Sequence, residues 1–468
     1  MIGWAKRQGR TPIDPGGARV AGLTEDTGEP VFFPSGHSLT IASNGAGKST
    51  GIAVPAIASF ACDPDSAILI FDGKEGELAA QCADMLTQMG RKVAVIDDMN
   101  VRPELARYKV ALNPFGASVA TFLKDPRDAV FANASLTETL IPEPKDDARN
   151  AYWRDWPRKF VAFAHGVMMK RQPEGATPGA AASILMDREM LAGFAEIEAV
   201  EGDPVLRAQA QAILDLRGHE HFPQHLEQAQ KSLQFFAPGT RLADAGQNAT
   251  TSHFDLIHDK TVIFLVGPQA RMTRLSTYFA LHINGFCDSL YAGAGPLRAI
   301  CDEFTNMPLK QLVENLTTLR AYGGEFHMIV QSRSELIRKY GEQECETIED
   351  NSIVKCWLGL SSFKEAERVS KAMGEEHAVA TAMGMDSESL KANTNLSLIK
   401  QRILSPAELM AMPRGTMLVH VKGTGFFTLQ MLFQNQIAPF CDRYADNPLE
   451  GGRLPSDPKI RLKLPEGG

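Results

Sequence analysis

The chain has 468 residues, 44% hydrophobic and 22% charged, enough to bury a large core, and this excludes both wholesale disorder and a fibrous repeat. At roughly 100–200 residues per domain, it accommodates two or three domains. Lys and Arg total 48 against 56 Asp and Glu, a net charge of −8; this excludes a generally basic nucleic-acid binder, so any DNA must be held by a local patch or an assembly channel.

In chain order, residues 1–116 alternate dense apolar runs with helical stretches. Ser38–Ala42, Ala67–Phe71 and Lys92–Ile96 predict strands buried on both faces of a parallel sheet, and Glu77–Met89, stopped by Gly90, predicts a helix between them. The texture changes after Asn113-Pro114-Phe115. Residues 117–235 hold no convincing β run and are dominated by Ala, Glu, Gln, Leu and Met, as in Asp146–Met169, Ala181–Glu201 and Pro204–Leu216. They predict an all-helical insertion, with Pro157 breaking or kinking the first helix and a loop over Pro173–Gly179. Strand-like runs return in residues 236–446, at Thr261–Gly267, Leu297–Glu303, Phe326–Ser332 and Ile353–Leu360. A hairpin follows, Thr416–Val421 and Phe426–Leu432 around Lys422-Gly423-Thr424-Gly425. Residues 447–468, rich in Pro, Gly and charge, predict a flexible tail.

Seven cysteines spread from Cys62 to Cys441 form no CxxC pair and no zinc-spaced cluster, the usage of reduced thiols in the cytoplasm. A membrane span takes roughly 20 apolar residues; the longest candidate, Gly51–Cys62, is shorter and contains Pro55. The first ten residues carry no apolar signal region, so the sequence reads as that of a soluble intracellular protein.

Residues 42–49 read Ala-Ser-Asn-Gly-Ala-Gly-Lys-Ser, the phosphate-loop pattern with Ala42 in place of its first glycine. Such a loop curls its backbone N–H groups around a polyphosphate, and the helix that follows adds its positive end. Asn44, Gly45, Ala46, Gly47, Lys48, Ser49 and Thr50 are therefore the candidate ATP ligands. Lys48 would reach the β- and γ-phosphates, and the Ser49 hydroxyl would bind Mg²⁺. The loop needs an acid at the end of another core strand. Asp72 is one candidate; Asp302-Glu303 is the better, Asp302 holding the Mg²⁺ shell and Glu303 polarising the attacking water. Gln331, ending the next strand, is placed for the γ-phosphate or the water. Arg320 precedes that strand, where spacing alone reads as a solvated helix arginine.

Together these residues resemble the type IV secretion coupling proteins, the hexameric ATPases of bacterial conjugation. The resemblance runs through SNGAGKST, ILIFDGKEGEL, which resembles the family's second strand and its D-x-K-x-E segment, ALNPF, CDEFTNMP, HMIVQSRSELIRKYG and ILSPAELMAMP, in that order; Glu335 stands where the family usually has Gln. It implies an α/β fold, a RecA-like P-loop nucleotide-binding domain interrupted by an all-alpha domain. It implies a sensor role for Gln331 and an arginine-finger role for Arg320 across a subunit boundary. It further implies ATP and Mg²⁺ as cofactors, a homo-hexamer, and single-stranded DNA, relaxase and relaxosome proteins and type IV secretion channel ATPases as partners. The place of action would be the cytoplasmic face of the inner membrane. Many members carry N-terminal membrane helices and none is visible here, so membrane association would come through a missing segment or a partner.

Within the insertion, Arg149, Arg154, Arg158, Lys159, Lys170 and Arg171, interleaved with Trp153 and Trp156, are candidates for DNA contact, against the plainer reading of a solvated face over a tryptophan core. The sequence thus predicts an ATP-driven motor that brings relaxase-bound single-stranded DNA to a secretion channel and pumps it. The alternatives are a double-stranded DNA pump of the chromosome-translocase type and a nucleotide-switched adaptor for protein effectors.

Overall fold

The computed structural model describes residues 11–143, 150–306, 310–385, 392–452 and 454–465. Its frame is one 11-stranded sheet. The strands are β1 (Arg19–Leu23), β2 (Pro30–Phe33), β3 (Ser38–Ala42), β4 (Ala67–Asp72), β5 (Val93–Ile96), β6 (Val262–Val266), β7 (Leu297–Cys301), β8 (Gly324–Val330) and β9 (Val354–Leu358). A hairpin apart from the sheet contributes β10 (Glu375–Met385) and β11 (Ala392–Arg402), and β12 (Thr416–Val421) and β13 (Gly425–Gln430) complete the sheet. Its order is β2-β1-β13-β12-β9-β3-β8-β7-β4-β6-β5. From β9 to β5 every pairing is parallel, and from β9 to β2 every pairing is antiparallel. The sequence explains the division. SLTIA, AILIFD and VIFLV are buried at every position, as strands covered on both faces must be, whereas β2 and β13 are largely half-buried.

Helices cover the parallel part: α1 (Val54–Ala61) follows β3 and α2 (Glu77–Gln88) follows β4. The chain then leaves the sheet after β5 for seven helices, α3 (Gly116–Lys124), α4 (Ala129–Leu140), α5 (Ala151–Arg171), α6 (Pro178–Met186), α7 (Arg188–Glu201), α8 (Pro204–Leu216) and α9 (Phe222–Ser232). Thr177, Asp187 and Asp203 cap α6, α7 and α8 with side-chain oxygens, and Pro178 and Pro204 open two of them, so the local sequence sets these boundaries. Asn113 closes the neck of the insertion: its amide donates to Ala176 O and its carbonyl accepts from Phe115 N. α5 continues through Pro157, so of the expected break or kink the break does not occur. The proline lies in the second turn, and the buried stripe Phe160, Phe163, Ala164 and Val167 holds the rest. After the insertion come α10 (His253–His258), α11 (Ser276–Tyr291), α12 (Lys310–Leu319), α13 (Arg333–Tyr340), α14 (Glu342–Asn351), α15 (Phe363–Met373) and α16 (Pro406–Met410).

Three further differences from the sequence reading stand out. The β1–β2 hairpin and the β10–β11 hairpin, registered Glu375 to Arg402, went unpredicted. Arg320 lies in a 3₁₀ turn after α12 rather than within a helix. The flexible tail is a packed strap: β14 (Ile437–Ala438) pairs in parallel with β15 (Ile460–Arg461), and Ile460, Leu462 and Asn447 are buried. Pro and Gly there shape turns around a few apolar anchors, which composition alone conceals. All seven cysteines are buried and unpaired. Among the described residues, no helix is long and apolar enough to cross a membrane. Ile460→Ala should lower stability by about 2–4 kcal/mol in chemical denaturation, whereas a loose tail would leave it unchanged.

Candidate functional site

The phosphate loop joins β3 to α1. Gly45 (φ +74°) and Gly47 (φ +90°) take left-handed conformations that favour glycine, and the helical backbone begins at Lys48. A Cβ on Gly47 would lie 3.2 Å from Phe433, and one on Gly51 2.4 Å from Met431, so the residues leaving β13 pack directly on the loop. Arg414 Nη2 donates to Gly45 O at 3.2 Å. Ala42 is the last residue of β3 and fully buried; it belongs to the strand, so the missing first glycine leaves the loop intact.

Facing the loop are the carboxyl ends of β8, β7 and β4, the strands that succeed β3 in the sheet. Lys48 Nζ lies 2.9 Å from Glu303 Oε1, and Gln331 Nε2 donates to Glu303 Oε2 at 2.9 Å. Glu303 has φ +52°, a costly conformation for a non-glycine residue, and aims its carboxylate back at the loop. Burial alone would raise its pKa, but Lys48, Lys74 and Gln331 outweigh burial and hold it below the usual range. Neighbouring Asp302 is pushed up to about 6, chiefly by burial, although Lys74 opposes the shift.

Lys74 and Glu77 join the site from the turn between β4 and α2. Lys74 Nζ lies 3.6 Å from Glu303 Oε1, 3.9 Å from Asp302 Oδ2 and 3.9 Å from Glu77 Oε1. Burial would depress this ammonium; Asp302, Glu77 and Glu303 instead raise its pKa. Glu77 Oε1 accepts from Ser49 Oγ at 2.7 Å, and Asn447 Nδ2 reaches Glu77 Oε2 at 3.5 Å, tying the carboxy-terminal strap to the loop. Lys74 and Glu77 belong to the ILIFDGKEGEL segment of the family resemblance, which by itself placed neither in the site. Arg414 and Asn447 had no local signal at all.

Of the predicted residues, Lys48, Ser49, Asp302, Glu303 and Gln331 converge at one sheet edge, with Asn44, Gly45, Ala46, Gly47 and Thr50 forming or flanking the loop. Asp72 is close by but serves α2, accepting from Ala79 N at 2.8 Å; burial and the charges of Glu77 and Asp302 raise its pKa to about 8. Arg320 is exposed in the turn before β8, at the opposite end of the sheet, beyond reach of its own chain's loop. The basic residues of the insertion are engaged internally. Arg154 and Arg158 pair with Glu143, Arg158 also binds Ile141 O, and Lys170 and Arg171 clamp buried Glu198. Lys159 lies over the Trp156 ring. The expected DNA face on α5 is therefore largely a set of structural ion pairs; Arg149 lies outside the described residues.

These side chains fit a magnesium-bound polyphosphate. The loop offers left-handed glycines and a fixed ammonium, and the opposite wall offers Glu77, Asp302 and Glu303 against Lys48 and Lys74 among the described residues. An excess of buried carboxylate calls for a cation. Ser49 and Asp302 would hold Mg²⁺, whose remaining ligands come from phosphate and water.

Comparison with known proteins bears on the fold that carries this geometry. Residues 296–414 match the family model described as the TraM recognition site of TraD and TraG. No curated protein matches the sequence. Among solved structures, the unbound conjugative coupling protein TrwBΔN70 superposes with a TM-score of 0.61 at 17% identity, covering 92% of this chain and 91% of that one. TrwB in complex with the ATP analogue ADPNP gives 0.61 at 16% identity, over 91% and 88%. The chain has the coupling-protein fold. The VirB4 structure of Thermoanaerobacter pseudethanolicus matches more loosely, at 0.50 and 15% identity, over 90% of this chain and 98% of that one. The α/β, RecA-like class with an inserted helical domain, read from the sequence, thus holds, and so does the resemblance to coupling proteins.

The raised acids make stability depend on pH. A carboxyl whose folded pKa exceeds its unfolded value binds its proton more tightly when folded, so it stabilises at low pH and that stability is lost as pH rises through the folded value. Asp72 and then Asp302 therefore add stability as pH falls from 8 to 6, while His165, His253, His282 and His327, whose burial holds them below the usual imidazole range, subtract it over the same window. The Asp72 share is isolated by difference: the melting temperature of wild type minus that of Asp72→Asn should rise from pH 8 to pH 6, and a constant difference would place the titration elsewhere.

Proposed function

We propose that this chain is an ATP-driven coupling protein that recruits relaxase-bound single-stranded DNA to a type IV secretion channel and pumps it there. The observation that carries the reading is the Glu303 carboxylate gripped by Lys48 and Gln331 across three adjacent strands. A nucleotide-binding scaffold needs the lysine; only hydrolysis needs a positioned base beside it. Mg²⁺ supplies charge neutralisation along the transferred phosphate. Lys48 is drawn from Glu303 to the phosphates, Gln331 keeps one carboxylate oxygen oriented, and the freed oxygen accepts a proton from the attacking water. The TrwB structures that share this fold hold an ATP analogue in one case and ADP with Mg²⁺ in another, which supports ATP and Mg²⁺ as cofactors here. The match over residues 296–414 to a TraM recognition site supports a relaxosome protein as partner. The place of action is the cytoplasmic face of the inner membrane, attachment coming from a partner or a membrane segment.

Lys48→Ala should reduce turnover at least a hundredfold and weaken ATP binding. Glu303→Gln should bind ATP yet lose roughly 10²–10⁴ in hydrolysis, because an amide accepts no proton. Normal turnover in Glu303→Gln with a dead Asp72→Asn would move the base to β4. Wild-type specific activity should rise with protein concentration and with single-stranded DNA. Stronger stimulation by duplex would favour the chromosome-type pump, and turnover near zero with every DNA would favour the adaptor.

Arg320 acts as an arginine finger on a neighbour, for it is exposed and remote from its own loop. Such residues contribute roughly 10³–10⁵ in rate. Arg320→Ala alone should be nearly inactive. Mixing it with Lys48→Ala should restore part of the activity, since one mutant donates the arginine and the other the intact loop. No rescue at any ratio, with hexamers confirmed by mass, would remove the finger.

A further inference from the structure

Lys74 has no part in the reading above, yet it faces three carboxylates of the site at once. It stands on a four-residue turn, Gly73–Gly76, whose backbone is fixed from several sides. Glu75 N donates to Gly267 O at 3.1 Å, Glu77 N donates to Lys74 O at 3.1 Å, and Gln269 N donates to Glu75 Oε1 at 2.9 Å. Arg102 Nε donates to Glu75 O as well. Glu75 (φ +53°) and Gly76 (φ +67°) are both left-handed. The strain is held by surrounding bonds, the pattern of a segment kept in place for what it presents. What it presents is an ammonium amid Asp302 Oδ2, Glu77 Oε1 and Glu303 Oε1, at 3.9, 3.9 and 3.6 Å.

The two side chains expected to hold the divalent ion meet at this point. Asp302 contacts Lys74 directly, and Ser49 Oγ is bound to Glu77, whose same oxygen faces Lys74. Glu303 is already satisfied by Lys48 and Gln331. Lys74 is thus the cation that Glu77 and Asp302 share, and removing it would leave two buried carboxylates beside a hydroxyl without the ammonium that lies 3.9 Å from each. That is the donor set of a divalent-cation site.

We propose that Lys74 is a positioning residue that stands in for the divalent cation in the nucleotide-free site. It keeps Glu77 and Asp302 paired and excludes a metal until the nucleotide brings one. The inference rests on the nucleotide-site reading. Its chemistry is only an exchange of ion pairs: the arriving cation takes Asp302 and the Ser49 hydroxyl, and the ammonium turns to the phosphate or stays with Glu77.

The test measures Mn²⁺ binding to nucleotide-free protein at pH 8, by electron paramagnetic resonance of free Mn²⁺ and by melting in EDTA against Mn²⁺. Wild type should bind Mn²⁺ weakly and melt alike in both. Lys74→Met and Lys74→Gln should bind Mn²⁺ at least tenfold more tightly and melt higher in Mn²⁺ than in EDTA. Lys74→Arg should behave as wild type, and adding Glu77→Gln to Lys74→Met should abolish the gain. Variants that bind Mn²⁺ no better than wild type, or that stay unfolded even in Mn²⁺, would overturn the proposal. A fluorescent ATP analogue, tested on wild type and Lys48→Ala, separates the two failures. If wild type binds it and Lys48→Ala does not, a negative Mn²⁺ result refutes only the role of Lys74. If wild type fails to bind it, the nucleotide-site reading falls first.

Discussion

The arrangement of this molecule depends on one electrostatic constraint, the need to keep several carboxylates buried at a single sheet edge. Asp72, Glu77, Asp302 and Glu303 are each at most 4% exposed, and the ammonium groups of Lys48 and Lys74 lie among them. Buried charges are tolerated only when paired and hydrogen-bonded. Each has an identifiable partner: Lys48 and Gln331 for Glu303, Lys74 for Asp302, Ser49 and Asn447 for Glu77, and the α2 amide for Asp72. On the proposed function an incoming phosphate would compete for Lys48 and an incoming cation for Lys74, so that binding would be coupled to a rearrangement of these pairs.

The fold serves this constraint through strand order. The succession β3-β8-β7-β4 sets the loop, Gln331, Asp302-Glu303 and the Lys74 turn side by side, although Lys48 and Glu303 lie 255 positions apart in sequence. Parallel strands deliver all four carboxyl ends to the same edge, where ligands of open α/β sheets bind. The antiparallel extension is joined to the same purpose. Met431 and Phe433 leave β13 to pack on Gly51 and Gly47, Arg414 holds the loop from outside, and the strap beyond brings Asn447 to Glu77. Residues that close the chain therefore help fix the geometry of a loop near its beginning.

Much of this was legible in the sequence, for reasons tied to particular residues. Strands such as Ala67–Asp72 are buried on both faces and so write themselves as unbroken apolar runs, with chemistry at their last residue. The phosphate loop is a local motif, and its missing glycine mattered little because Ala42 belongs to the strand. The β1–β2 hairpin was missed because β2 is a half-buried edge strand and β1, only five residues long and interrupted by Gly22, carries a weak pattern. The strap was misread because two buried side chains, Ile460 and Leu462, outweigh the composition around them. Arg154, Arg158, Lys170 and Arg171 looked like a DNA face because their partners, Glu143 and Glu198, come from other parts of the insertion. Pairing across a fold is invisible to a linear reading.

The central claim is that Lys48, Glu303, Ser49 and Glu77 form the site that takes a magnesium-bound polyphosphate. The most direct measurement is a crystal structure of the protein with Mg²⁺ and a non-hydrolysable ATP analogue. The account predicts phosphates in the 43–49 loop, Lys48 Nζ moved from Glu303 to a phosphate oxygen, and Ser49 Oγ moved from Glu77 to the metal. A nucleotide bound elsewhere, or one bound here with both contacts intact, would contradict it.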